Sequence, residues 1–326
     1  MPQEMAWVLR FVGQVLQTPW QAKAIYQKAL TIFEEDGDER GMAETLYRLG
    51  VITAQIGDYR EAQQFYQKSL VRSQKLGRQE IIMFCLAELS YTEWAFGNYQ
   101  AAAEWCRESL NLAREIGYPN FEATTLRYLA RIMAGQGDIQ TAKKHLKQCI
   151  AIHEEFGLQG MKAEGLAEMA TVAAMEQQFA KAKQLAQDSL ALCQELEHRT
   201  GEITPYTVLG EAALGLADFK TAERHFHQAL RIACEVWQPA LALHALVGLA
   251  RLFASVDEKA QAYETATFIL HHPVSWQWSK DSIAPLAAEL EVELPPDVRN
   301  LAQTQAKAKN LEQVVDELIT REGYHA

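Results

Sequence analysis

The chain lacks the features that mark most enzymes, disulfide-stapled domains and membrane proteins. Its five cysteines, Cys85, Cys106, Cys149, Cys193 and Cys234, are odd in number and widely spread. No CxxC pair exists, which excludes a zinc knuckle and a thioredoxin-type motif. Cysteine usage of this kind fits a reducing, cytoplasmic compartment. No apolar run is long enough to span a bilayer. The opening residues, MPQEMAWVLRFVGQVLQ, carry Glu4 ahead of the first Arg and have no small-residue cleavage site, so they make a poor signal peptide. Basic excess is missing too. The formal charge is −11, which argues against a nucleic-acid binder, since phosphate contacts need clustered Lys and Arg.

The chemical motifs are absent as well. There is no GxxxxGK[ST], no GxGxxG in a strand-to-helix setting, no HExxH and no GxSxG. Gly135-Gln136-Gly137 falls at a turn between helices. His153-Glu154-Glu155 has no second His one helical turn on, and the other histidines form no metal spacing. Lys143, Lys144 and Lys147 read as a solvated helix face. The sequence therefore predicts neither an enzyme nor a bound cofactor or metal.

What the chain has is repetition. Alanine recurs at 22, 62, 102, 142, 182, 222 and 262, always 40 residues apart, without insertion or deletion. An aliphatic residue follows eight positions later each time: Leu30, Leu70, Leu110, Ile150, Leu190, Leu230 and Leu270. A fixed period of this length indicates stacked repeats. It overrides the two-domain expectation that length alone would give, because solenoids grow by adding units.

Each unit reads as two amphipathic helices. In residues 41–76, Leu46, Leu49 and Gly50 form an inward stripe. Gly57-Asp58 breaks the first helix. Tyr59, Ala62, Tyr66, Ser69 and Leu70 make the buried face of the second. The turn recurs as Gly97-Asn98, Gly137-Asp138, Gln177-Gln178 and Ala217-Asp218. Leu49, Leu89, Leu129, Met169, Leu209 and Leu249 fill one column; Gly50, Ser90, Ala130, Ala170, Gly210 and Ala250 fill the small column beside it. Cys149 shares a column with Ala29, Ser69, Ser109, Ser189 and Ala229, and is read there as a small buried residue.

This pattern resembles the tetratricopeptide repeat, on the match of Leu46, Leu49, Gly50, Gly57, Tyr59, Ala62, Tyr66 and Ser69. The family's usual unit is about 34 residues; the 40-residue unit is similar to the long variant of kinesin light chains, bacterial peptide-responsive regulators and the sensor arms of signalling regulators. The resemblance covers roughly residues 3–272. It implies an all-α, right-handed α-solenoid of helix-turn-helix repeats: seven over 1–272, with 273–326 as capping helices. Within that cap, Trp276 to Leu290 reads as one more first helix bearing Pro285. Pro295-Pro296 is expected to start a single closing helix running through LAQTQAKAKNLEQVVDELI.

The resemblance also implies that ligands sit on the face lined by first helices. Its stripe is uneven along the chain. It holds Trp7, Phe11, Tyr47, Phe84, Tyr91 and Trp94 early and Arg127 and Arg131 next, while the fifth unit, with Glu164, Ala167, Thr171 and Ala174, is nearly bare. Aromatic and Arg residues are enriched at binding hot spots. The expectation is a partner-binding groove built from Tyr47, Phe84, Tyr91, Trp94, Arg127 and Arg131 that holds a protein or peptide with an acidic group. The competing reading has the aromatics packing against neighbouring helices, Trp7 and Phe11 covering an exposed end, and the arginines pairing with Glu88 or Glu164. Two functions fit: a non-catalytic peptide-binding scaffold, or the inducer-sensing arm of a larger signalling ATPase or transcriptional regulator. A chain that starts at a repeat boundary, as this one does, is what an excised arm would show.

Overall fold

The computed structural model describes residues 7–9 and 18–321, and every regular element among them is helical. The helices are α1 (Pro19–Asp36), α2 (Glu39–Ile56), α3 (Tyr59–Lys75), α4 (Gln79–Ala95), α5 (Tyr99–Glu115), α6 (Pro119–Gly135), α7 (Ile139–Glu155), α8 (Gln159–Met175) and α9 (Phe179–Glu195). A 3₁₀ turn, Arg199–Glu202, then leads into α10 (Ile203–Gly215), followed by α11 (Phe219–Glu235), α12 (Pro239–Ser255), α13 (Lys259–His271), α14 (Gln277–Glu293), α15 (Pro296–Ala308) and α16 (Leu311–Arg321). Even-numbered helices from α2 to α14 are the first helices of successive repeats. The chain forms an α-solenoid of helix-turn-helix repeats and divides into two compact units, Met1–Ile152 and His153–Ala326.

The alanine column lies in the buried contact between helices. Ala62, Ala102, Ala142, Ala182, Ala222 and Ala262 are all 0% exposed. The small column works the same way: a Cβ added at Gly50 would collide with the Tyr66 ring, and one at Gly210 with Phe226. The serine column does more than fill space. Ser69, Ser109 and Ser189 donate from Oγ to the carbonyls of Ala43, Met83 and Ala163 at 2.7, 2.9 and 2.7 Å. Each bond ties a second helix to its own first helix and satisfies a buried hydroxyl.

The turns repeat at half the sequence period. Left-handed residues occur every 20 positions, from Gly37 through Gly57, Gly77, Gly97, Gly117, Gly137 and Gly157 to Gln177, Glu197, Ala217, Trp237 and Asp257. At the first intra-repeat turn, Gly57 N–H bonds Ala54 O at 2.9 Å and Asp58 N–H bonds Thr53 O at 3.0 Å, the paired bonds of a Schellman motif. Asp58 Oδ1 then accepts from Glu61 N–H at 3.0 Å, capping α3. Asp138 and Asp218 repeat that cap, and bonds from Thr141 and Thr221 hold their carboxyls below the usual range.

Two local departures have physical causes. Pro205 has no N–H to offer the carbonyl of Gly201 and would crowd it, so the sixth first helix starts as a 3₁₀ turn before α10. The expected single closing helix is two helices, because Asn310 starts a new one. Asn310 Oδ1 accepts from Gln313 N–H, and Gln313 Oε1 accepts from Asn310 N–H, both at 2.9 Å; reciprocal capping of this kind begins a helix. Helix α14 runs unbroken through Pro285. Ile283, Ala287 and Leu290 of α14, Ala302 of α15 and Leu318 of α16 share one core with Leu230, Leu246 and Ile269.

The non-glycine turns generate a prediction. Ala217 sits at φ 59°, a conformation that costs an L-residue about 1–2 kcal/mol. Ala217→Gly should stabilise by about 0.5–1 kcal/mol once glycine's greater chain entropy is subtracted. Gly137→Ala, at φ 83°, should lose about 1 kcal/mol. Urea unfolding reads both; a lower midpoint for Ala217→Gly would refute the account.

Candidate functional site

In the first unit, α2, α4 and α6 lie side by side and their outward residues form an aromatic ladder. The ring of Tyr47 stacks on Phe84 with centroids 5.7 Å apart, and Phe84 meets Phe121 edge-on at 4.8 Å. A second rung joins Tyr91 to Tyr128 at 5.7 Å. Partners in these rungs are 37 residues apart, one helical turn short of the repeat. Arg131 lies over the rings of Tyr91 and Trp94 at 5.6 and 5.0 Å, and Arg127 over Tyr128 at 5.2 Å.

The six predicted site residues therefore come together, but in a different arrangement from the one the stripe suggested. Trp94 is only 2% exposed; it lies beneath Arg131 and supports it, so it is no direct anchor. Tyr47, Phe84, Tyr91, Arg127 and Arg131 are half-buried. Trp7 packs edge-on against Phe33 at 5.1 Å, and Phe11 lies outside the described residues.

The stripe missed Glu88, Phe121 and Tyr128. Tyr66 Oη donates to Glu88 Oε2 at 3.5 Å. Burial raises the Glu88 carboxyl to about 7, against the opposing pull of the Tyr66 bond and the Arg127 charge. Burial, then the Glu88 charge, pushes the Tyr47, Tyr66 and Tyr128 hydroxyls upward. The pairing of Arg127 with Glu88, the competing reading of the sequence, is thus present as an electrostatic interaction. Burial thus favours the neutral carboxyl, while the Tyr66 hydroxyl and the Arg127 charge favour its ionised form.

The second unit holds a feature that the sequence reading passed over. A cavity of about 470 Å³ opens among α8, α10, α12 and α14, with Phe179, Glu211, Leu214, His244, Arg251 and Trp278 in its walls. Thr171 and Ala174 line it where the first unit places Tyr91 and Trp94. Arg251 Nη2 donates to the Ser282 carbonyl at 3.0 Å and to its Oγ at 2.6 Å. Burial raises the Glu211 carboxyl, with the Arg251 charge drawing it back down. His244 faces Trp278 at 4.9 Å, and its Nδ1 lies 3.3 Å from Ser279 Oγ.

Among the described residues no three His, Cys, Asp or Glu side chains are placed to hold a metal, and no helix is long and apolar enough to cross a membrane.

The repeat geometry and a face built from first helices define a class, and comparison identifies it. The tetratricopeptide repeat family model matches residues 5–75, 83–155 and 163–235. The chain belongs to the tetratricopeptide repeat family. Among solved structures, a Rap protein complexed with competence and sporulation factor is similar, with a TM-score of 0.68 and 16% identity over 92% of this chain and 76% of that one. A Rap conjugation gene regulator in complex with the Phr* peptide gives a TM-score of 0.63 at 13% identity, over 84% of this chain and 70% of that one. The signal transduction ATPase with numerous domains (STAND) protein with a tetratricopeptide repeat sensor from Pyrococcus horikoshii gives 0.53 at 15% identity; the match covers 92% of this chain but 44% of that one. At such identities the likeness is one of fold. The search of the curated proteins found no match.

Glu88 yields a pH-dependent test. A carboxyl raised from 4.5 to about 7 on folding keeps its proton in the folded state when the unfolded state has lost it. Stability is then full below about pH 4.5 and falls as pH rises toward 7, by on the order of 3 kcal/mol. Glu88→Gln should melt several degrees above wild type at pH 8 and level with it at pH 4.5. Equal melting points at both pH values would exclude a perturbed carboxyl.

Proposed function

We propose that this chain is a non-catalytic, peptide-binding tetratricopeptide repeat scaffold of the cytoplasm, with seven repeats over 1–272 and a C-terminal cap over 273–326. Its binding face is that of the first unit. Arg127 and Arg131 take an acidic group of the bound peptide or protein; Tyr47, Phe84 and Tyr91 supply apolar contact. The observation that carries this reading is the seating of both guanidinium groups on aromatic rings, 5.0–5.6 Å from the centroids. A guanidinium held over a ring loses less entropy on binding, and its planar fork can take a carboxylate in bidentate fashion. One of the similar folds, the Rap conjugation gene regulator, was solved in complex with the Phr* peptide, which supports a peptide as the occupant. No basic patch for nucleic acid and no membrane contact enters this reading.

The second reading is a ligand-sensing arm of a larger signalling ATPase or transcriptional regulator. The cavity of the second unit favours it, as does the fold shared with a STAND sensor.

The first reading is tested on an array of synthetic acidic peptides paired with their Asn/Gln counterparts. Wild type should prefer acidic members by about tenfold or more, and Arg127→Glu/Arg131→Glu should lose that preference while keeping its circular dichroism. An unchanged preference in the double variant would refute the assignment of these arginines. Trp94→Ala should weaken binding by about threefold to tenfold, since it removes only the support under Arg131.

A further inference from the structure

The cavity of the second unit plays no part in the peptide-binding face of the first, and its chemistry points to a different kind of guest. We propose that it binds an amphoteric small ligand, a dipeptide or tripeptide with free termini and apolar side chains, whose carboxylate pairs with Arg251 and whose ammonium pairs with Glu211. The proposal stands whether or not the first-unit face binds a partner.

Size comes first. About 470 Å³ falls within the range of small-molecule sites, about 300–1,000 Å³, and gives room for roughly two or three residues. The space exists because the stripe shrinks here. The first helix α8 carries Thr171 and Ala174 at the two columns where α4 carries Tyr91 and Trp94, while Glu211, Leu214 and Arg251 of the same columns line the space on the following helices. Side chains as small as those of α8 do not reach across the gap between first helices.

Charge narrows the guest further. Glu211 and Arg251 line the same cavity and are close enough for the Arg251 charge to act on the Glu211 carboxyl. A guest with a single charge would satisfy one of them and leave the other facing an unfavourable neighbour in a partly desolvated space. A guest carrying both charges satisfies both. Arg251 is already oriented: its Nη2 is tied to the Ser282 carbonyl and hydroxyl at 3.0 and 2.6 Å. A planar fork fixed at one corner is preorganised for a carboxylate.

The remaining walls mix apolar and aromatic groups with the polar side chains of Thr171, Gln177 and Ser282. Leu214, Phe179 and Trp278 offer surface for aliphatic or aromatic side chains, and the tilted contact of His244 with Trp278, centroids 4.9 Å apart, restrains that ring. A few polar groups converging within an apolar lining is the usual composition of a ligand site.

Titration calorimetry on the full chain tests this with free Leu-Leu, Leu-Phe and Leu-Leu-Leu, each beside its N-acetyl and C-terminal amide derivatives. At least one free peptide should bind, and blocking either end should weaken it by about tenfold or more. Arg251→Met should abolish the effect of amidation and Glu211→Gln that of acetylation, each leaving the other intact, as a double-mutant cycle requires. Arg251→Lys keeps the charge and should retain the effect of amidation. Ala174→Phe, which fills the cavity, should abolish binding with its melting curve retained. The proposal is overturned if no free peptide binds, if blocked peptides bind as tightly as free ones, or if the neutral disaccharide cellobiose binds in their place.

Discussion

The structure depends on how closely paired helices approach at the alanine column. From Ala62 to Ala262, six successive alanines are completely buried, each at the same point of a second helix. Two helices separated by little more than their backbones allow no larger side chain there without a cost of about 1–3 kcal/mol. The same constraint removes the side chain altogether at Gly50 and Gly210, where Tyr66 and Phe226 occupy the space. It also brings Ser69, Ser109 and Ser189 within reach of backbone carbonyls in the neighbouring helix. The sequence keeps this 40-residue frame without insertion from Ala22 to Ala262.

Packing of this strength overrides local preference at the turns. The early turns are glycines; the later ones are Gln177, Glu197, Ala217, Trp237 and Asp257, all with φ between 52° and 65°. Four of the five, Gln177, Glu197, Ala217 and Trp237, are residues that rarely adopt this conformation; Asp257 tolerates it better. Helices on either side, held by the buried columns, leave the chain no other path. The C-terminal end shows the opposite case. No repeat column reaches Lys309-Asn310, and there a local capping exchange between Asn310 and Gln313 decides where one helix stops and the next begins.

That difference explains what could be read from the sequence. The framework was legible because each buried column is set by contacts repeating at 40 residues. The face of the first helices was only partly legible, because its contacts repeat at 37. Tyr47 touches Phe84, and Tyr91 touches Tyr128, pairs that a 40-residue alignment places in different columns. Grouping by column brought Trp94 to the surface, when it lies buried beneath Arg131. It also left out Glu88, whose surroundings come from three different helices. The serine column carried its own signal, a hydroxyl recurring at a buried position, which demands a partner.

The two units then show one set of positions giving opposite results. Where the stripe carries Tyr91, Trp94 and Arg131, the tilted rings and the guanidinium over them fill the space between first helices. Where α8 carries Thr171 and Ala174, the same space stays open, and Glu211 and Arg251, next in that column, line it together with Trp278. The bareness of the fifth repeat, which by composition looks like the absence of a site, is what creates room for one. A hot-spot search that counts large residues finds surfaces and overlooks cavities, since a cavity is lined by what is left after side chains become small. Because neither set of stripe residues belongs to the alanine or serine columns, their volume can change without disturbing the spacing on which the fold depends. Whether the face of the first helices presents a filled surface or an open cavity is therefore a matter of how much of the stripe is filled.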